Sequence, residues 1–255
     1  MSSYLAHRRK GFRGAPPPLP THWWDLDGGT WADQGTKAAA GWDLSEGGTP
    51  STTSSTIGSG GSRTVADLAA ADYLEFDNAG TKTVAWDGDN DLISIACWAE
   101  VDSISPSFNS LVTWRGSSPD LIFQQLLVNS TTDYAQGQIW DDTPTGFVAA
   151  DDEGDVPISA DTWYHICTTF DGSDLKLYVN GTLVETTDAS THSGTFSTAA
   201  APFKIGVASW SPATSTLWHN GLMHATGIWD VALTADDVSS IYRNGDGGSY
   251  SDIWG

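Results

Sequence analysis

Most of the side chains in this 255-residue sequence that could do chemistry are oxygen donors, with 32 Asp and Glu against 11 Lys and Arg. Asp87-Gly88-Asp89-Asn90-Asp91 sets carboxylates at alternate positions of a turn-prone stretch, an arrangement that a hard cation such as calcium takes on a loop. It is not an EF-hand, because Leu92 stands where that loop needs glycine and Trp98 where it needs a bidentate glutamate. Asp87, Asp89 and Asp91 are the candidate metal ligands, with a solvated acidic turn as the competing reading. Carboxylate pairs for glycosidic chemistry are scarce. Glu75-Phe76-Asp77 puts two acids on one strand face, but Asn78-Ala79-Gly80 adds no third. There is no Gly-x-Ser-x-Gly elbow and no paired His spacing for zinc, so catalysis is not expected. Thirteen Trp supply rings that can stack on sugars, and Trp210 and Trp218, with Trp31 and Trp140, are the candidates. Core burial is the commoner fate of such residues.

The elements that must position these groups read as strands. Apolar runs at 73–76, 92–101, 110–115, 121–128, 138–141, 163–170, 175–180, 203–207 and 217–230 are short and separated by Gly, Asp, Asn, Ser and Pro. Period-two alternation places Ile93, Ile95, Cys97 and Ala99 on one face, and Tyr164, Ile166 and Phe170 on another. Asn180-Gly181 between two such runs is a hairpin signal, since both turn positions need positive φ. Thr234 with Asp237 matches a capping box, Val238, Ile241 and Tyr242 give an apolar face, and Gly245 is placed to stop one C-terminal helix. The expected fold is an all-β, two-sheet antiparallel jelly-roll sandwich with that one short helix. Residues 21–255 form the domain, and 47–63, almost all Gly, Ser, Thr and Pro, are expected as a flexible surface loop. Cys97 and Cys167, each in a strand-like run, read as buried free thiols, with a disulfide left open.

Charge divides the chain. Residues 1–20 hold four of the eleven basic residues and none of the acidic ones, so a basic, proline-rich N-terminal arm precedes a strongly acidic body. The body should be repelled by nucleic acid and by anionic membrane. No apolar stretch follows the basic residues, as a signal peptide would require, and no run reaches transmembrane length. Ala15-Pro16-Pro17-Pro18-Leu19-Pro20 should be a stiff polyproline-like spacer.

Asp161-Thr162-Trp163-Tyr164-His165, with Tyr178-Val179-Asn180-Gly181, resembles the strand pair of laminin-G-like and pentraxin-like, concanavalin A-like jelly rolls. Leu92 to Trp98, Trp24-Asp25-Leu26-Asp27 with Asp33, and Gly227-Ile228-Trp229-Asp230 followed by Ala232-Leu233-Thr234 are similar to that family's strands and closing helix. The resemblance spans residues 22–245 in order. It implies a binding fold, often with loop-bound calcium and a glycan ligand, although His224 stands where the family often has an acid. It also implies that His165 is a strand histidine satisfied by backbone. Residues 4–13 resemble arms that open some phage virion proteins. That implies docking through Arg8, Arg9, Lys10, Phe12 and Arg13 onto other virion proteins or copies of this chain. The expectation is a non-catalytic component of a virion, such as a capsid decoration, tail or fibre protein in a homo-oligomer or larger assembly, that displays a sandwich able to bind host-surface glycan. A free, calcium-dependent lectin is the alternative.

Overall fold

The computed structural model describes residues 16–28, 31–36, 43–69, 71–76, 92–103, 108–115, 122–128, 133–140, 147–151, 155–191, 203–209 and 215–255. One sheet runs in the order β13 (Thr182–Asp188), β12 (Asp174–Val179), β11 (Tyr164–Asp171), β6 (Leu92–Val101), β17 (Gly221–Trp229), β4 (Ser62–Leu68) and β3 (Ser51–Thr56), and short β1 (His22–Trp24) also pairs with β17. The other runs β10 (Phe147–Asp151), β9 (Tyr134–Trp140), β8 (Ile122–Val128), β7 (Phe108–Arg115), β14 (Phe203–Ile205), β5 (Tyr73–Phe76) and β2 (Ser45–Gly47). A small ribbon joins β15 (Val207–Ser209) to β16 (Ser215–Trp218). Every pairing among these strands is antiparallel. The result is the expected two-sheet sandwich.

Alternation builds the core between the sheets. Ile93, Ile95, Cys97 and Ala99 of β6 and Ile166 and Phe170 of β11 meet Phe123 and Leu127 of β8 and Ile139 of β9, all buried in one cluster. Gln125 of β8 lies within this interior. Its Nε2 donates to the Ile95 carbonyl (2.8 Å) and to Thr168 Oγ1 (3.1 Å) of the opposite sheet, so a buried amide ties the two layers. The sheets approach closely beside it, where a Cβ built on Gly137 would lie 2.5 Å from Thr168 Cγ2.

The first sheet is buried on its outer face as well. Ala96, Trp98, Cys167, Tyr178 and Trp229 form a second cluster with Val238 and Ile241 of α1 (Ala235–Tyr242) and Ile253 of α2 (Tyr250–Trp254). Burial on both faces explains why β6 reads as an almost unbroken apolar run. It also separates the thiols. Cys97 belongs to the inner cluster and Cys167 to the outer one, and both are free.

Three expectations need correction. The Gly/Ser/Thr segment 47–63 is not an unstructured loop, because β3 and the start of β4 pair there from Ser51↔Asp67 to Thr56↔Ser62. Thr and Ser suit an exposed edge strand, and the apolar content that anchors it lies just beyond, at Val65, Ala66 and Leu68. The single C-terminal helix is two. Helix α1 starts at the Thr234–Asp237 capping box and ends at Arg243 (φ 52°), before Gly245, and α2 starts at a second box, Ser249 with Asp252. Finally, Trp31 is a core residue whose Nε1 donates to Glu46 Oε1 (2.8 Å), not a sugar platform.

Candidate ligand face and acidic rim

On β9 the inward residues are Ala135 and Ile139, so period two turns Gln136, Gln138 and Trp140 to the outward face of the second sheet. There they are joined in sequence. Trp140 Nε1 donates to Gln138 Oε1 (2.9 Å), Gln138 Nε2 donates to Gln136 Oε1, and Gln136 Nε2 donates to Asp151 Oδ2 of β10 (3.0 Å). Each bond fixes the orientation of the next group, and although the two glutamine side chains are themselves buried, the half-buried Trp140 ring and Asp151 carboxylate at the ends of the series are held in fixed positions. Further across the same face, Tyr73 and Glu75 of β5 and Lys204 of β14 point outward, opposite to core residues Leu74, Phe76, Phe203 and Ile205. Lys204 Nζ lies 3.4 Å from Glu75 Oε2 and 4.9 Å from the Tyr73 ring centroid. Trp218 joins this patch, its ring 5.9 Å from that of Tyr73. The candidate sugar-stacking residues Trp218 and Trp140 are thus placed beside polar groups. Trp210 lies outside the described residues.

A second group lies at the end of the first sheet. Glu100-Val101-Asp102 puts two acids on one face of β6 and its exit, and Asp161, from the loop before β11, completes a trio whose oxygens lie within 4.8 Å of one another. Burial, then the charges of Asp161 and Asp102, holds Glu100 above the usual carboxylate range, and the Trp163 indole N–H partly offsets this. Asp102 is raised by burial and by Asp67 and Asp161. Asn220 Nδ2 donates to Asp102 Oδ2 (3.2 Å). Three hard oxygens that repel one another are a donor set suited to a divalent cation such as calcium. The Glu-x-Asp spacing at 100 and 102 was visible in the sequence as a same-face pair, but nothing in the sequence brought Asp161 to it. The expected ligands Asp87, Asp89 and Asp91, and the expected docking residues Arg8, Arg9, Lys10, Phe12 and Arg13, lie outside the described residues.

Four histidines among the described residues are buried, His22, His165, His219 and His224. His165 is packed between Trp98 (5.2 Å) and Tyr242 (5.9 Å), and burial pushes its pKa down to about 3. The expectation that backbone satisfies this ring is not met at Nδ1, which has no hydrogen-bond partner among the described residues; aromatic packing holds the ring instead. The backbone of His165 is bonded on both sides to Asn180, which accepts at Oδ1 (3.0 Å) and donates through its own N–H (2.8 Å). Burial likewise lowers His219 and His224 to about 4. Cys97 and Cys167 are pushed up by burial and are poor nucleophiles.

Two antiparallel sheets, one backed by helices and the other turning amides and aromatic rings outward, define a lectin-like β-sandwich. The chain belongs to the concanavalin A-like lectin/glucanases superfamily, whose laminin-G-type model matches residues 68–239. No curated protein matches it in sequence. Solved structures share the fold. Domain 4 of a GH43 extracellular arabinanase from Geobacillus stearothermophilus, solved with arabinotriose, is similar at TM-score 0.61 and 17% identity over 89% of this chain and 100% of that one. The ligand-binding domain of botulinum neurotoxin serotype D, solved with N-acetylneuraminic acid, is similar at 0.58 and 12% over 88% of this chain and 50% of that one. A heptameric SAP-like pentraxin from Limulus polyphemus is similar at 0.50 and 15% over 60% of this chain and 70% of that one.

Proposed function

We propose that this protein is a non-catalytic, lectin-like module that binds glycan on the outward face of its second sheet. The observation that carries this reading is the Trp140–Gln138–Gln136–Asp151 ladder. The buried glutamines fix the half-buried Asp151 carboxylate, an acceptor for sugar hydroxyls, and the half-buried Trp140 indole, a ring for their C–H faces. The arabinotriose and N-acetylneuraminic acid held by two structures of the same fold are in keeping with it. The test is a glycan array with the wild-type chain and with Trp140→Ala and Gln138→Ala. Binding should be lost in both variants while β-rich circular dichroism is kept, and a folded wild-type chain that binds no glycan sinks the proposal. If calcium contributes, Glu100, Asp102 and Asp161 would hold it and it would order the rim loops.

A second reading concerns assembly, and the charge division of the chain favours it. The basic arm would dock through Arg8, Arg9, Lys10, Phe12 and Arg13 onto an acidic partner, in the finer reading the particle of a tailed phage, so that the protein resides in the virion with its sandwich displayed. Deleting residues 2–14 should abolish incorporation into that particle and leave the fold intact. Normal incorporation of the truncated chain refutes the reading.

A further inference from the structure

Pro17 and Pro18 are bonded to two indoles of a three-Trp cluster brought together by three elements. Trp23 of β1, Trp229 of β17 and Trp254 of α2 pack with ring centroids 5.1–6.4 Å apart, Trp23 edge-on to the other two. Gly227 makes room for them, because a Cβ there would lie 2.5 Å from the Trp23 ring and 2.7 Å from that of Trp229. Trp229 Nε1 donates to the Pro18 carbonyl (3.0 Å) and Trp254 Nε1 to the Pro17 carbonyl (3.0 Å). Burial along the segment has a period of three. Pro17 and Pro20 are buried, while Pro16, Pro18 and Leu19 are exposed, Leu19 by 51%. A polyproline II helix has three residues per turn, so Pro-x-x-Pro puts its two prolines on one side. Proline carbonyls are left unpaired by their own backbone, and indole N–H groups on an aromatic platform are the natural donors to them.

We propose that the Trp23/Trp229/Trp254 platform is a polyproline-peptide binding site, that its resident ligand is the chain's own Pro16–Pro20, and that it accepts a proline-rich peptide in trans once that segment is weakened. A terminus that is merely packed down would show the same contacts but no exchange. The resident segment has the advantage of tethering, equivalent to a millimolar effective concentration, so the unmodified chain should largely exclude an added peptide.

The test uses the full chain carrying Pro17→Ala and Pro20→Ala, observed through the indole N–H resonances of Trp229 and Trp254. These should shift relative to the unmodified chain. They should then return saturably toward their original positions as a peptide of the sequence of residues 14–21 is added. The same peptide with alanine at the two proline positions should bind at least about tenfold more weakly, as should the native peptide to the unmodified chain. No saturable return, or equal binding of the two peptides, overturns the proposal. Should the double variant fail to fold, Trp254→Phe keeps the ring and removes the N–H. A proline-specific endoprotease should then cleave after Pro18 about tenfold faster than in the unmodified chain, and an unchanged rate overturns it.

Discussion

Gly137 and Glu100 show how much a single position can carry in this sandwich. At Gly137 the sheets approach so closely that Gly137→Ala places a methyl 2.5–3.1 Å from three atoms of Thr168, beside the Gln125 amide that ties the layers. Overpacking there should cost about 1–3 kcal/mol in denaturant unfolding, and Thr168→Ala in the same chain should restore part of it. Additive losses would show that the two residues are not in contact. Glu100 carries the opposite lesson, because its charge is unfavourable where it sits. Glu100→Gln should raise stability at neutral pH in a chelator by up to about 1 kcal/mol. If the trio binds calcium, the unmodified chain should gain melting temperature with added calcium and the variant should gain less. Equal gains would remove Glu100 from the ligand set. The same-face spacing of residues 100 and 102 is legible in the sequence. Their meeting with Asp161 is not, because loop closure across the sheet end depends on tertiary pairing.

At the scale of elements, the β12–β13 hairpin and helix α1 were the most legible parts, because their signals are local. Asn180 (φ 50°) and Gly181 (φ 76°) occupy the left-handed region that the Asn-Gly pair implied. Asn180→Ala must hold that conformation without the side-chain bond to His165 N–H, and should cost about 1–2 kcal/mol. Thr234→Ala removes the cap that Asp237 N–H uses (3.2 Å) and should cost about 1 kcal/mol, measured by thermal or denaturant melts. A loss near zero in either case would mean that the element is held by packing alone. The β3–β4 hairpin was illegible for the complementary reason. Its outer strand has no apolar alternation, and only its pairing with β4, which is itself paired with β17, reveals it as structure.

The whole molecule has a pH response that follows from burial. His165, His219 and His224 have folded pKa values of about 3, 4 and 4, below the roughly 6.5 of an exposed histidine. Between those values the unfolded chain binds protons that the folded chain refuses, so stability is complete above about pH 6.5 and falls as pH drops toward 4. Each histidine contributes on the order of 1 kcal/mol per pH unit in that window. Glu100 and Asp102, raised in the fold, act with the opposite sign at the acid end. Thermal melts at pH 7.5, 6 and 5 should show the decline, and His165→Phe should shrink it. A melting temperature that is flat or rising from 7.5 to 5 would contradict the burial of these rings.

The sequence by itself determined what short-range physics can write: alternation that commits residues to one face of a strand, turn residues that tolerate positive φ, caps, and the division of charge between arm and body. Tertiary structure alone decided what depends on which distant residues meet. It turned Gln136, Gln138 and Trp140 outward beside Asp151, gathered Glu100, Asp102 and Asp161, put Cys97 and Cys167 on opposite faces of one sheet, and laid Pro17 and Pro18 across indoles from both ends of the chain. Each of these meetings is fixed by strand order and register, and alternation along one strand does not specify which strand will lie beside it.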